Sequence, residues 1–209
     1  HGTRAVSGFV QVVGGRGGAG AGGTAGSIGG QGASVEIDRT AADLSASDPD
    51  AQYRLTIEAL AGDGSGVTTA GRAGAGGDAL VDFAESGRSG SAYQMSLRGE
   101  GGEGGGTFLG GILGRAGTSS VTGSLSFGGN ASLGVLSVGG RGGSASLGSI
   151  RVGGAGGLAS GDATVESLAP GGRADVLLTL VGGRGGVGTG RGGLGGGGLG
   201  SASATATPT

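Results

Sequence analysis

Glycine occurs at every third position across residues 14–32, a stretch that reads GGRGGAGAGGTAGSIGGQG. The glycines in phase are Gly14, Gly17, Gly20, Gly23, Gly26, Gly29 and Gly32. A three-residue period matches neither the 3.6-residue turn of an α-helix nor the two-residue alternation of a pleated strand. It matches the left-handed three-fold helix of polyproline II type, which has no internal hydrogen bonds. The stretch therefore predicts an ordered, polyglycine-II-like segment.

A second stretch keeps the same count, and neither stretch contains proline. Its in-phase glycines are Gly99, Gly102, Gly105, Gly111, Gly114 and Gly117. Without proline, each glycine loses conformational entropy on ordering, and each amide needs a hydrogen-bond partner outside its own segment. Both requirements are met when several such segments pack side by side, with glycine wherever no side chain fits. We call the glycine-rich segments arches and predict that these glycines are structural.

Each arch lies between two short segments in which apolar and polar residues alternate, as in half-buried strands. The segments before the arches are 9–13, 53–60, 93–98, 133–138 and 174–181, and those after them are 33–38, 79–84, 120–127, 163–168 and 201–207. A strand–arch–strand unit thus occurs five times, over about 7–38, 53–84, 93–127, 133–168 and 174–207. Such a repeat organises the whole chain, and we expect one repeat domain over 1–209.

Two all-β arrangements satisfy this pattern; we expect the first and keep the second as the alternative. In the first, the strands of each unit pair as hairpins within a β-sheet or sandwich, and the arches form ordered arms. In the second, the units are successive coils of a β-solenoid. Glycine supplies 61 of the 209 residues, a share that is also typical of low-complexity, disordered chains. The low charge and the orderly apolar alternation argue against disorder.

Composition and charge exclude several classes of partner. The formal net charge is −2, which gives no general attraction to nucleic acid. The motif GGRGG occurs at 14–18, 139–143 and 182–186, but RNA binding through such a motif needs net positive charge and interleaved aromatic residues. No apolar run approaches the ~20 residues of a membrane helix. We therefore expect neither nucleic-acid binding nor membrane insertion.

The sequence offers no defensible catalytic, cofactor or metal site, and we do not expect an enzyme. His1 is the single histidine and there is no cysteine, which rules out metal sites of the His/Cys type. The glycines within 15–20 match a dinucleotide-binding pattern, but no helix-forming stretch follows them. Three acidic residues of the longest linker lack a calcium-loop signature and are interpreted as a solvated turn. They are Asp43, Asp48 and Asp50.

The segment VGGRGGSASLGSIRVGGAGGLASGDATVESLAPGG at 138–172 resembles the glycine-rich, β-strand-repeat surface and matrix proteins of Gram-negative bacteria. The likeness is one of composition and covers nearly the whole chain. The arches are similar in style to the polyglycine bundles of antifreeze proteins and phage tail-tip adhesins, without the cysteines of the former or the aromatic-rich loops of the latter. The resemblance implies an extracellular or cell-surface protein with a structural or adhesive role. Because the first residue is His1 rather than Met, we expect a mature chain left after signal cleavage.

The terminal strands suggest how such a protein would act. Open strand edges are templates for pairing with another chain, so we expect a secreted subunit that self-assembles into an extracellular filament or a matrix, such as that of a biofilm. The residues expected to carry assembly are Phe9, Val10, Val12, Val13, Ala202, Ala204 and Ala206. The expected partners are other copies of the chain, with cell-surface glycans as a further class.

The alternative is a monomeric adhesin or an ice-binding surface. An ice-binding face needs an array of threonines, and the sequence offers one such pair, Thr205 and Thr207.

Overall fold

The computed structural model shows an all-β fold. It describes residues 4–20, 26–43, 50–68, 71–87, 90–146, 152–189 and 198–206. These residues include no helix, and therefore none that is long and apolar enough to cross a membrane.

The described residues form twelve strands, which belong to three parallel sheets. The strands are β1 (Ala5–Val13), β2 (Val35–Asp43), β3 (Gln52–Leu60), β4 (Gly71–Arg72), β5 (Ala79–Gly87), β6 (Ala92–Glu100), β7 (Gly111–Ile112), β8 (Ser119–Phe127), β9 (Asn130–Val138), β10 (Ala159–Ser167), β11 (Ala174–Val181) and β12 (Gly198–Ala206). The first sheet has the order β1-β3-β6-β9-β11, and the second has the order β2-β5-β8-β10-β12. The short strands β4 and β7 pair with each other inside the arches.

The chain winds as a β-solenoid, because the two strands of each unit lie in different sheets and pair with the equivalent strands of neighbouring units. In the first sheet, for example, Val13 pairs with Leu60, and Leu60 pairs with Glu100. The predicted strand–arch–strand repeats are confirmed, and of the two all-β arrangements the solenoid is the one observed. The hairpin pairing that we expected within each unit does not occur among the described strands, because the two strands of a unit belong to different sheets. We call the units layers 1 to 5, counted from the amino terminus.

The core lies between the two large sheets, which face each other. Alternate residues of β6 and β8 point inward and are buried, while the residues between them are more exposed. The largest fully buried side chains include Ile57, Met95, Leu97, Leu125, Leu133 and Phe127. Each such burial contributes about 1.5–3 kcal/mol relative to an exposed side chain. The interior therefore holds the two sheets together across the middle layers.

The arches extend from one end of the two sheets as two stacks of extended arms. Outgoing arms lie at 14–20, 61–67, 101–107, 139–145 and 182–188, and the described return arms lie at 27–34, 71–78, 111–118 and 152–158. Backbone N–H groups at every third residue donate to the next layer, as from Gly17 N to Asp63 O at 2.9 Å. Others donate across the stacks, as from Gly62 N to Ala33 O at 2.9 Å. The amides thus find their partners in neighbouring arms, as the polyglycine-II prediction requires.

Candidate self-assembly interface

The two ends of the solenoid are open in the part of the chain that the structure describes. Strands β1 and β2 form the edges at the layer-1 end, and β11 and β12 form those at the layer-5 end. Open edges present unpaired backbone groups, and solenoids stay soluble as monomers when a polar terminal repeat covers them. Each end is therefore able to accept further parallel strands.

The four β1 side chains predicted to carry assembly are all exposed. Val10 and Val12 pair in register with the buried residues Ile57 and Ala59 of β3, so they face the interior at its open end. Phe9 and Val13 alternate onto the outer face, and nearly two thirds of each side chain is exposed. The geometry makes this strand accessible; its role in self-association stays a prediction.

The three predicted alanines lie in β12, at the opposite end of the solenoid from β1. Strand β12 pairs with β10 and places Ala202, Ala204 and Ala206 in register with Ala163, Val165 and Ser167. Because β1 and β12 belong to different sheets, pairing them directly across a subunit contact would continue neither sheet. The structure therefore does not bring the two predicted strands to one edge, and β11 is the strand at the far end of the β1 sheet.

Strand β11 carries two exposed apolar side chains that the sequence analysis did not single out. Leu177 is 68% exposed and Val181 is 46% exposed, both on the outer face of the first sheet. The register that starts at Phe9 ends at Leu177, and the row reads Phe9, Thr56, Ser96, Gly134, Leu177. Large apolar side chains thus stand at the two ends of this row, with small or polar residues between them. A second row reads Val13, Leu60, Glu100, Val138, Val181, and its two end residues are also exposed apolar side chains.

One row of glycines in the outgoing arms faces the preceding layer. A Cβ atom added at these positions would overlap a backbone carbonyl oxygen of that layer, at well under 3.0 Å. The contacts are Gly62 on Gly15, Gly102 on Gly62, Gly140 on Gly102 and Gly183 on Gly140. Gly15 begins the row, and a Cβ there would have nothing within 4 Å. Gly18, one triplet further along, also faces open space. Within one subunit, therefore, a side chain would fit at either position, and sterics alone do not require glycine there.

Three layers share the hexapeptide VGGRGG, at 13–18, 138–143 and 181–186. In layers 4 and 5 the two copies lie side by side, with Gly139 N donating to Val181 O and Gly142 N to Arg184 O, both at 2.9 Å. The third copy belongs to layer 1, at the other open end. Layer 5 of one subunit and layer 1 of another therefore carry the same hexapeptide that forms the contact between layers 4 and 5.

The predicted structural glycines fall into different settings. For most of them, an added Cβ would lie less than 3.0 Å from the backbone of a neighbouring arm: Gly14, Gly17, Gly20, Gly29, Gly32, Gly102, Gly105, Gly111, Gly114 and Gly117. Gly99 lies in β6 and faces the side chains of Ser119 and Val121 instead. Gly26 turns with φ 117° in open space, and Gly23 lies outside the described residues.

An outward row of the outgoing arms carries a charge in every layer. In register order it reads Arg16, Asp63, Glu103, Arg141, Arg184. Arg16 Nε lies 3.9 Å from Asp63 Oδ2. A groove of about 240 Å³ runs beside this row and is floored by glycines of layers 2 to 4. The row is thus exposed, and a ligand can approach the backbone beside it.

Polar groups also lie inside the solenoid, at the end of the strands away from the arches. A cavity of about 230 Å³ there is lined by Arg39, Glu85 and Tyr93 among mostly apolar neighbours. Tyr93 is 2% exposed, and its hydroxyl has no hydrogen-bond partner among the described residues. Burial, followed by the Glu85 carboxylate, raises the pKa of Tyr93 well above its usual range, so the phenol stays neutral at a higher pH than in an unfolded chain.

No family model matches this chain, and no curated protein matches it. Among solved structures it is similar to the nine-helix polyproline type II bundle of a springtail antifreeze protein from Granisotoma rainieri, whose crystal waters match the ice lattice. That alignment is 19% identical, covers 90% of this chain and 93% of the antifreeze chain, and has a TM-score of 0.21.

Proposed function

We propose that this protein is a structural subunit that assembles head to tail into a filament by continuing its solenoid from one copy into the next. The observation that carries the proposal is the glycine row that begins at Gly15. In layers 2 to 5 the row has no room for a side chain, yet Gly15 itself faces open space. A second copy stacked with its layer 5 against this layer 1 would place the Gly183 backbone at that position. In the filament, position 15 would then require glycine for the same reason as the other positions of the row, because the neighbouring backbone leaves no room for a side chain.

The outward side chains support the same stacking register. Continuing the first sheet across the contact places Leu177 beside Phe9 of the next subunit, and Val181 beside Val13. These four side chains are exposed in the free subunit, and burial of each contributes up to about 1.5–3 kcal/mol. The apolar end residues would therefore stabilise the contact that the backbone register defines.

The backbone hydrogen bonds extend in the same way. Since Gly139 N and Gly142 N donate to Val181 O and Arg184 O, the same pattern one layer on has Gly182 N and Gly185 N donating to layer 1 of the next subunit. Their acceptors would be the carbonyls of Val13 and Arg16. Such a contact joins two different surfaces, and a head-to-tail contact that does not close produces an open filament.

The proposal fixes a repeat distance. Five layers stacked at ~4.8 Å give one subunit every ~24 Å along the filament axis. Fibre diffraction of aligned filaments should show a strong meridional reflection near ~4.8 Å and a weaker order from the subunit repeat. Electron microscopy of the purified protein at neutral pH should show the filaments directly.

The decisive variant is Gly15→Ala. The added methyl group meets nothing within the subunit, so the variant should fold with an unchanged circular-dichroism spectrum and thermal midpoint. At the subunit contact the methyl group would overlap the neighbouring backbone and prevent assembly. The matched control is Gly134→Ala, on the outer face of a middle layer, where the nearest backbone atom is Met95 O at 4.0 Å.

Assembly by Gly134→Ala and not by Gly15→Ala supports the stacking contact. If a folded Gly15→Ala protein forms filaments as readily as the wild type, the stacking contact is wrong. Dispersed particles from the wild type under all conditions would contradict the filament altogether.

An extracellular location remains part of the proposal and rests on the resemblance to bacterial surface and matrix proteins. Among the described residues, no contact favours the alternative of a monomeric adhesin or ice-binding surface. An outward row of the described return arms reads Ile28, Arg72, Ile112, Val152, which is not the threonine array that an ice-binding face needs.

A further inference from the structure

Three arginines occupy the same position of the VGGRGG hexapeptide, and the solenoid places them in a single row. Arg141 and Arg184 are neighbours in layers 4 and 5, and both are exposed. The ion pair described along this row joins Arg16 to Asp63 in layers 1 and 2. One open end of the subunit therefore carries two adjacent arginines, and the other end carries one.

Head-to-tail stacking would complete a three-arginine stripe, and this step rests on the proposed function. Arg141, Arg184 and Arg16 of the next subunit would follow one another at the layer spacing of ~4.8 Å. Glu103 precedes the stripe, and Asp63 of the next subunit follows it. The row along the filament thus alternates between three positive and two negative charges, and each junction lies within a positive block.

Like charges on directly neighbouring strand positions destabilise their pairing. The guanidinium groups lie in solvent, so any dissolved salt screens this repulsion, whatever its ions. A multivalent anion acts differently, because guanidinium groups bind phosphate and sulfate oxygens through two parallel N–H donors. An oligoanion lying along the row would contact guanidinium groups of two subunits at once.

We infer that each filament junction is a binding site for an oligoanion of the phosphate or sulfate type, and that this ligand promotes assembly. Asp63 and Glu103 repel an anion from the middle layers, which confines the ligand to the junction. The site is incomplete in one subunit, since Arg16 comes from the next copy.

The experiment measures the critical concentration for assembly by sedimentation, with and without submillimolar tripolyphosphate at constant ionic strength. We expect tripolyphosphate to lower it roughly twofold to fivefold, the range of one or two relieved like-charge pairs. In Arg184→Gln and Arg16→Gln the repulsion is smaller, so both should assemble at least as well as the wild type without the anion and should respond little to it. Arg115→Gln, on an exposed outward position of a return arm, is the matched control and should respond like the wild type.

The outcomes separate this inference from the proposed function. Filaments that form equally well with and without tripolyphosphate, or an equal response in Arg184→Gln and Arg115→Gln, would overturn the anion site and leave the filament intact. Absence of filaments in every condition would overturn both. A sulfated dextran distinguishes the source of the ligand: its co-sedimentation with wild-type but not Arg184→Gln filaments supports a polysaccharide, whereas a response to tripolyphosphate alone supports a free anion.

Discussion

Gly117 lies so close to Gly77 of the preceding layer that a Cβ atom at Gly117 would overlap the Gly77 carbonyl oxygen. The backbone donor and acceptor groups of these arms are used between arms as well, with Gly117 N donating to Gly102 O at 2.8 Å. Close approach of the arms is what lets these hydrogen bonds form, and close approach is possible because glycine has no side chain. In the arches, therefore, a residue that prevents close packing of the arms also prevents the hydrogen bonds between them.

The first prediction is that Gly117→Ala destabilises the fold. The methyl group would collide with backbone atoms, which cannot move aside without breaking hydrogen bonds on both stacks of arms. We expect the free energy of unfolding to fall by about 1–3 kcal/mol or more, as in overpacked cores, measured by urea denaturation. Gly134→Ala has open space and should change the unfolding free energy by no more than about 0.5 kcal/mol. Equal stability of the two variants would show that the arches are not closely packed.

Much of the fold follows from residue periodicity alone. Alternation in YRLTIEAL gives strand β3 with Tyr53 and Ile57 inward, and the glycine triplets give extended arms. Alternation does not specify the pairing partner, because the same inward face is satisfied whether a strand pairs within its unit or with the next one. The choice of the solenoid depends on contacts between distant residues, such as the hydrogen bond from Ser137 Oγ to Ser119 Oγ across the interior at 2.9 Å.

The candidate interface was harder to predict. Strand β11 contains apolar residues on both faces, including Leu177 and Leu178, so its sequence does not show that Leu177 is exposed at an edge. Gly15 was missed for a similar reason, because it lies outside the triplet phase and looks like any other glycine of the arch. Only the stacking order shows that Gly15 begins a row of glycines that is open at one end of the subunit. Whether a residue lies at an open end of the solenoid depends on the order in which the layers stack, and the local residue pattern does not show that order.

The second prediction concerns alkaline pH. Since the pKa of Tyr93 is raised in the folded state above the value of about 10 in unfolded chains, the unfolded state loses its proton first as the pH rises. The contribution of Tyr93 to the unfolding free energy should therefore be constant below about pH 9 and fall above about pH 10. In Tyr93→Phe this part of the decline should disappear, and neutral-pH stability should be unchanged or higher because the buried hydroxyl has no described partner. Tyr53→Phe, which keeps Tyr93, should retain the decline; if Tyr93→Phe retains it equally, the phenol is not its source.

The third prediction concerns Ala33, the residue of layer 1 in a return-arm row that is otherwise Gly77, Gly117 and Gly157 in layers 2 to 4. Each of those glycines has no room for a Cβ against the carbonyl of the preceding layer, whereas Ala33 is exposed at the open end. Under the proposed stacking, the Ala33 methyl group must be accommodated by the return arm of the next copy, which lies outside the described residues. We therefore expect Ala33→Gly to assemble at a lower protein concentration than the wild type, as measured by light scattering. Slower or weaker assembly of Ala33→Gly would show that the return arms do not stack as they do inside the subunit.

The fourth prediction tests the apolar residues at the two ends. Under the proposed register, Phe9 and Leu177 come together only when two subunits stack, so Phe9→Ser and Leu177→Ser should each weaken assembly while leaving the monomer folded. Each substitution removes about 1–2 kcal/mol of apolar burial, which raises the critical concentration roughly fivefold to thirtyfold. Leu80→Ser is the matched control, because Leu80 is partly exposed on the outer face of the second sheet in layer 2. Because Phe9 and Leu177 contact each other at the junction, the double variant should weaken assembly by less than the sum of the single changes. Strict additivity would mean that the two side chains do not meet, and the register of the filament would then have to differ from that inside the subunit.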